Sequence, residues 1–183
     1  MPDRLGASLV AEAARSTPVE AQAAVNLMVR QALATARAVS SVTTSTGSYS
    51  VWYVADPHPQ WRANQALILT GTDGPALLGL VGRLQGDGLA VSDLAWSLAP
   101  KTAAAAHDKA EALALAALKG KAERAAKLLG MSFVGFRQVW LNPEGLPVQP
   151  MAMMAARAVP PPSAVPAESS VTATVTAEAD LEK

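Results

Sequence analysis

Few side chains in this sequence could carry out chemistry, and the densest group of them is a short run of methionines. Met151, Met153 and Met154 lie within four residues of one another in a proline-rich stretch. Thioether sulfurs are soft ligands that suit Cu(I), and exposed methionine can also be oxidised to the sulfoxide. Methionine more often fills irregular apolar gaps or packs at a subunit contact. Packing is therefore the favoured interpretation, and a soft-metal site is the alternative.

The chain has two histidines, His58 and His107, and no cysteine. His58 stands in a proline-flanked turn and His107 near the start of a predicted helix, and the two share no known ligand spacing. A structural or surface role is the favoured interpretation for each. The lack of cysteine excludes disulfides, thiolate catalysis and cysteine-ligated metal sites.

The sequence contains no pattern typical of nucleophilic catalysis or nucleotide binding. Neither a Gly-x-Ser-x-Gly nor a Ser-x-x-Lys motif occurs. Asp87 and Asp93 flank the start of a predicted strand, where a turn and a kink explain them better than acid–base catalysis. The stretch Gly71–Gly74 precedes a helix but lacks the Lys-Ser/Thr of a phosphate-binding loop, which favours a turn and helix cap. We predict no catalytic residue, no cofactor and no metal ligand beyond the methionine alternative.

Composition limits the classes of partner. The 183 residues include 15 Lys and Arg and 15 Asp and Glu, so the formal net charge is zero and nucleic-acid binding is not expected. Half of the residues are hydrophobic, which is enough for a sizeable core. No apolar run approaches the ~18 residues that a membrane-spanning helix needs. The start, Met1–Arg4, leads directly into a strand-like run without a signal peptide.

Hydrophobic periodicity predicts six strands and three helices. Strands are expected at residues 5–13, 42–54, 61–70, 89–98, 133–141 and 171–180, and helices at 18–39, 74–86 and 102–129. We predict an α+β fold, a ferredoxin-like βαββαβ unit over residues 3–98 followed by an αββ extension over 99–183. The sheets would be antiparallel with three helices packed on one side, all within one domain, and a Met/Pro-rich loop would span 143–168.

Several side-chain positions are predicted from the same patterns. On the third helix the apolar face is expected at Ala106, Ala110, Leu113, Ala117 and Leu128. Bends in the second and fourth strands are expected at Gly47 and at Ser92-Asp93. The four tryptophans all fall on predicted strands, where core or sheet-face anchoring is favoured for Trp52, Trp61, Trp96 and Trp140.

The sequences of several stretches resemble those of a known family. The longest of them is residues 109–130, which read KAEALALAALKGKAERAAKLLG. Four shorter stretches have the same kind of similarity: Ala23–Asn26, Tyr49–Val51, Trp61–Gln65 and Leu84–Leu89. In this order they resemble the SIMPL-domain family of bacterial envelope proteins. The lack of a catalytic pattern, the balanced charge and the large apolar core predict a non-enzymatic protein that acts by binding or self-assembly. The resemblance implies a periplasmic envelope location and a link to oxidative or envelope stress.

The resemblance also shows a difference at the start of the chain. Family members usually have an export signal and a short strand before the Pro-Asp that is similar to Pro2-Asp3. Without that strand, a neighbouring sheet edge such as Val171–Asp180 would be unpaired, and open edges favour pairing with another chain. A homo-oligomer through open sheet edges is therefore expected, with any other protein partner unspecified. The alternatives are a ligand or copper binder using the Met/Pro-rich loop, and an enzyme of unrecognised type with a deep polar pocket.

The packing interpretation of the methionines predicts the result of a copper titration. We expect the Met151/Met153/Met154→Leu triple variant to bind Cu(I) as weakly as the parent protein, because leucine preserves apolar packing and removes only the sulfurs. Competition with a colorimetric Cu(I) chelator measures the affinity. Tight binding by the parent that the triple variant loses would establish the soft-metal alternative instead.

Overall fold

The computed structural model describes residues 1–142, 165–166 and 170–183, which form an α+β protein. These residues contain three helices and six strands. In chain order the elements are β1 (Arg4–Arg15), α1 (Pro18–Arg37), β2 (Val42–Val54), β3 (Gln60–Gly71), α2 (Gly74–Gly86), β4 (Ala90–Ser97), α3 (Pro100–Leu128), β5 (Ser132–Asn142) and β6 (Thr174–Glu182). They fall into two compact units that divide between Ala99 and Pro100. The α+β class, the antiparallel sheets and the predicted order of elements are confirmed.

The N-terminal unit contains a four-stranded sheet with the order β2-β3-β1-β4. Every neighbouring pair is antiparallel, and β1 pairs with β3 from Leu5↔Gly71 to Arg15↔Trp61. Strand β1 therefore lies in the interior of the sheet although it comes first in the chain. Strands β2 and β4 are the two edges.

One face of β1 forms the centre of the core. Its alternate residues, from Leu5 to Ala13, are all buried, whereas the intervening residues are half-buried or exposed. Both helices of this unit contact β1 and β3, and each contributes a buried stripe. These stripes consist of Ala21, Val25, Val29, Ala32 and Ala36 on α1, and Gly74, Leu77, Leu80, Val81 and Leu84 on α2. The period-two and period-3.6 patterns thus meet in a single apolar layer.

Local polar groups fix where α1 and α2 begin. The Thr17 hydroxyl accepts a hydrogen bond from the Glu20 N–H at 3.2 Å, and the Glu20 carboxylate accepts from the Thr17 N–H at 3.2 Å. Asp73 caps α2 by accepting from the Ala76 N–H at 3.0 Å. Each cap satisfies N–H groups that have no partner within the helix. The predicted cap within Gly71–Gly74 is confirmed.

Two glycines fix where α2 and α3 end. Gly88 and Gly130 have φ values of 92° and 69°, in the left-handed region that favours glycine. After α3 the Met131 N–H donates to the Ala126 carbonyl at 2.9 Å, and the Gly130 N–H donates to the Lys127 carbonyl at 3.1 Å. Leu89 and Gly88 make the same pair of bonds at the end of α2. This arrangement is a Schellman motif, which ends a helix and directs the chain into the next strand.

Both predicted strand bends are present. The β2–β3 register shifts between Thr46 and Tyr49, which places the irregularity at Gly47. The β1–β4 register shifts opposite Ser92, whose hydroxyl donates to the Ser8 carbonyl at 3.1 Å. A bulge leaves one extra residue on a strand, and the Ser92 side chain provides a hydrogen bond beside it.

The C-terminal unit consists of α3 and an antiparallel two-stranded sheet, the β5–β6 ribbon. The predicted apolar face of α3 is wrong in part, because Leu113 and Leu128 are 63% and 88% exposed and Ala117 is exposed. The helix instead turns a four-residue repeat inward, formed by half-buried Ala106, Ala110, Ala114, Leu118 and Ala122 and buried Ala126. Four residues rotate about 40° beyond one full turn, so this stripe winds around the helix.

The strand faces of the N-terminal unit predict different costs for two adjacent truncations. Leu67→Ala should lower the free energy of unfolding by about 2–5 kcal/mol, because Leu67 is fully buried. Ile68→Ala should cost about 1 kcal/mol or less, because Ile68 lies on the opposite face and is 39% exposed. Urea denaturation followed by circular dichroism measures both. Equal losses would contradict the assignment of faces.

Candidate functional site

The structure brings His107 together with two carboxylates on the first part of α3. The His107 Nδ1 atom lies 3.4 Å from the Glu111 Oε1 atom, one helical turn later. Asp108 completes the group, and one ligand atom from each of the three residues lies within 4.8 Å of the others. His107 and Glu111 have side chains that are 28% exposed, and Asp108 is exposed. This is an arrangement of one imidazole nitrogen and two carboxylate oxygens that solvent can reach.

Sequence reasoning missed this group because it compared the two histidines only with each other and with two-histidine motifs. His58 lies in the turn between β2 and β3 and is exposed. The sequence spacing of His107, Asp108 and Glu111, at positions i, i+1 and i+4, could have identified the group. Side chains four residues apart are neighbours on a helix surface, so His107 and Glu111 meet wherever this segment is helical.

The other residues considered for chemistry have structural positions. The Asp87 N–H donates to the Arg83 carbonyl at the end of α2, and Asp93 lies beside the β4 bulge, opposite Ser8. Both aspartates are exposed, as their turn and kink roles require. Met151, Met153 and Met154 lie outside the described residues. Among the residues that the structure does describe, every fully buried side chain is apolar.

Two of the four tryptophans pack on a core as expected. Trp61 and Trp96 pack on the core of the N-terminal unit, and Trp52 is half-buried. Trp96 also explains Gly74, since a Cβ at that position would come within 2.8 Å of the indole. Trp140 differs, because it lies on β5 but is 40% exposed.

Trp140 belongs to an exposed apolar run on β5, formed by Val139, Trp140 and Leu141. The three side chains are 40%, 40% and 49% exposed. Successive strand residues point to opposite faces, so the run leaves apolar surface on both faces of the ribbon. Three consecutive exposed apolar residues are unfavourable in a folded protein unless they serve a contact.

Among the described residues, β5 and β6 pair only with each other, so no third strand pairs with the edges of the ribbon. The β5–β6 register shifts twice, at Val134 and at Arg137, and then runs without interruption from Gln138↔Glu178 to Asn142↔Thr174. Bulges protect a sheet edge by twisting it away from other strands. The second half of β5 has no bulge, and it is the half that contains the exposed run.

The exposed ion pair of the ribbon lies at one of the bulges. Arg137 donates to Asp180 across the strands at 2.5 Å, with side chains 70% and 44% exposed. Exposed pairs of this kind contribute about 0–1 kcal/mol. The pair therefore adds charge to the bulged half of β5 and little stability.

Comparison with known proteins identifies the family of this chain. Of the helices in the described residues, none combines the length and apolar character needed to cross a bilayer. No curated protein matches the chain. The family model SIMPL, described as "Protein of unknown function (DUF541)", matches residues 1–179. This match spans both compact units, from before β1 into β6, and the chain therefore belongs to the SIMPL family.

Proposed function

We propose that this chain is a non-enzymatic protein of the bacterial envelope that acts by binding or self-assembly, with the second half of β5 as its contact strand. The observation that carries the proposal is the exposed run Val139–Leu141 on a strand edge without a bulge. Family membership supports the envelope setting. A periplasmic location and a link to oxidative or envelope stress belong to the proposal through the resemblance alone.

The physical argument begins with the weakness of an isolated ribbon. A two-stranded sheet is marginally stable in water, and a third strand or a packed helix is needed to hold it. Here α3 supplies a helix, but Ala126 is its only fully buried residue. Further cover for the ribbon would therefore stabilise it.

A strand from a second chain would supply that cover in two ways. It would pair with the N–H and C=O groups along Gln138–Asn142 that point away from β6, and it would remove apolar surface of the exposed run from water. Burying apolar surface contributes about 25 cal/mol per Å². The same edge can accept a strand from a copy of this chain or from another protein.

Two substitutions on β5 should abolish self-association. In Val139→Lys/Leu141→Lys the two new charges lie on one face of the contact strand, where they oppose pairing and remove apolar surface. We expect the parent protein to gain mass with concentration and the variant to remain a monomer. Sedimentation velocity between about 5 and 500 μM measures the difference, and the range covers the affinities of weak interfaces.

A matched control separates edge pairing from a general effect of charge. Val19→Lys/Leu27→Lys adds the same two charges at exposed positions of α1, which are 71% and 49% exposed. This control should associate like the parent, and circular dichroism should show the same fold in all three proteins. A parent that stays monomeric, or a control that loses association to the same extent as the β5 variant, would refute self-assembly through this edge.

A further inference from the structure

We infer that His107, Asp108 and Glu111 bind a divalent transition-metal ion on the surface of α3. The site uses no residue of the contact strand and none of the methionines. It is therefore independent of the function proposed above.

The 3.4 Å separation of the His107 Nδ1 and Glu111 Oε1 atoms is that of an i, i+4 ion pair, and it also suits two ligands of one metal ion. Zinc binds imidazole nitrogen at about 2.0–2.1 Å and carboxylate oxygen at about 2.0–2.2 Å. Two ligands of a tetrahedral ion at those bond lengths are separated by about 3.4 Å. The His107 and Glu111 atoms thus already have the spacing of two ligands of one tetrahedral ion.

The position of both residues on one helix favours this spacing. Residues at i and i+4 lie on the same face one turn apart, and both side chains are only 28% exposed, which restricts their rotamers. Asp108 adds a carboxylate from the same turn, within 4.8 Å of the other two ligand atoms. Because Asp108 is exposed, it can move toward an ion at little cost.

The donor set selects the class of ion. One imidazole with two carboxylates suits Zn²⁺, Cu²⁺ or Ni²⁺, whereas Cu(I) prefers sulfur and Ca²⁺ prefers an all-oxygen shell. The two carboxylates offset the charge of a divalent ion. Three protein ligands leave the remaining coordination positions to water, as in open zinc sites.

Zinc titration of the tag-free full chain tests the site. Isothermal calorimetry with Zn²⁺ alone should show one ion per chain, and His107→Ala should weaken the affinity at least tenfold. Glu111→Gln should weaken it several-fold, because it keeps the shape of the side chain and removes the charge. Alanine is the best helix former, so the loss in His107→Ala would not arise from unfolding of α3.

The second histidine supplies the control. His58→Ala removes the other imidazole, and it should bind zinc as the parent does. In parallel, zinc should shift the ring resonances of only one histidine in ¹⁵N-edited NMR spectra of the parent. Those resonances should be absent from the spectrum of His107→Ala. No saturable zinc binding by the parent, an unchanged affinity in His107→Ala, or an equal loss in His58→Ala would each overturn the inference.

Discussion

The packing of the N-terminal unit depends on one face of β1. Its buried residues are all leucine or alanine, and Leu5, Ala7, Leu9, Ala11 and Ala13 belong to the same apolar layer. Alanine lets a helix backbone approach the sheet closely, and the neighbouring leucines fill the remaining volume. Both helices pack on this face, and β3 continues the layer with Ala63, Leu67 and Leu69. The opposite face of the sheet is then free to be polar, as is usual for antiparallel sheets.

The C-terminal unit is built from the same kinds of element with far less burial. Alanines supply most of the stripe that α3 turns toward the ribbon, and alanine removes little apolar area from water compared with leucine. The larger side chains Leu113 and Leu128 are exposed instead. The α3 side of the ribbon therefore consists mainly of small side chains, and this is the physical reason for proposing β5, rather than an edge of the well-packed sheet, as the contact strand.

The sequence predicted those features that local chemistry or a two-residue period determines. The alternation in β1, the Thr17 cap and the glycine at the end of each of α2 and α3 all follow from side chains within a few residues, and the structure has them. The face of α3 could not be predicted in the same way. An alanine-rich helix offers small apolar residues on every side, so the leucines set the predicted apolar stripe. The buried stripe of the structure winds around the helix and does not include Leu113 or Leu128.

The His107 group was missed for a different reason. A histidine followed by acidic residues resembles ordinary helix-surface charge unless the i, i+4 spacing is considered.

The sparse packing of α3 also accounts for the geometry of that group. Ala106 and Ala110 stand beside His107 and Glu111 on the half-buried side of the helix. A leucine at position 110 would lie over the preceding turn, which carries His107, since long helical side chains point toward the helix N-terminus. Small neighbours instead let both polar groups stay half-buried and accessible at once. The alanine-rich composition that gives α3 only one fully buried residue is thus the same one that leaves His107 and Glu111 accessible to solvent.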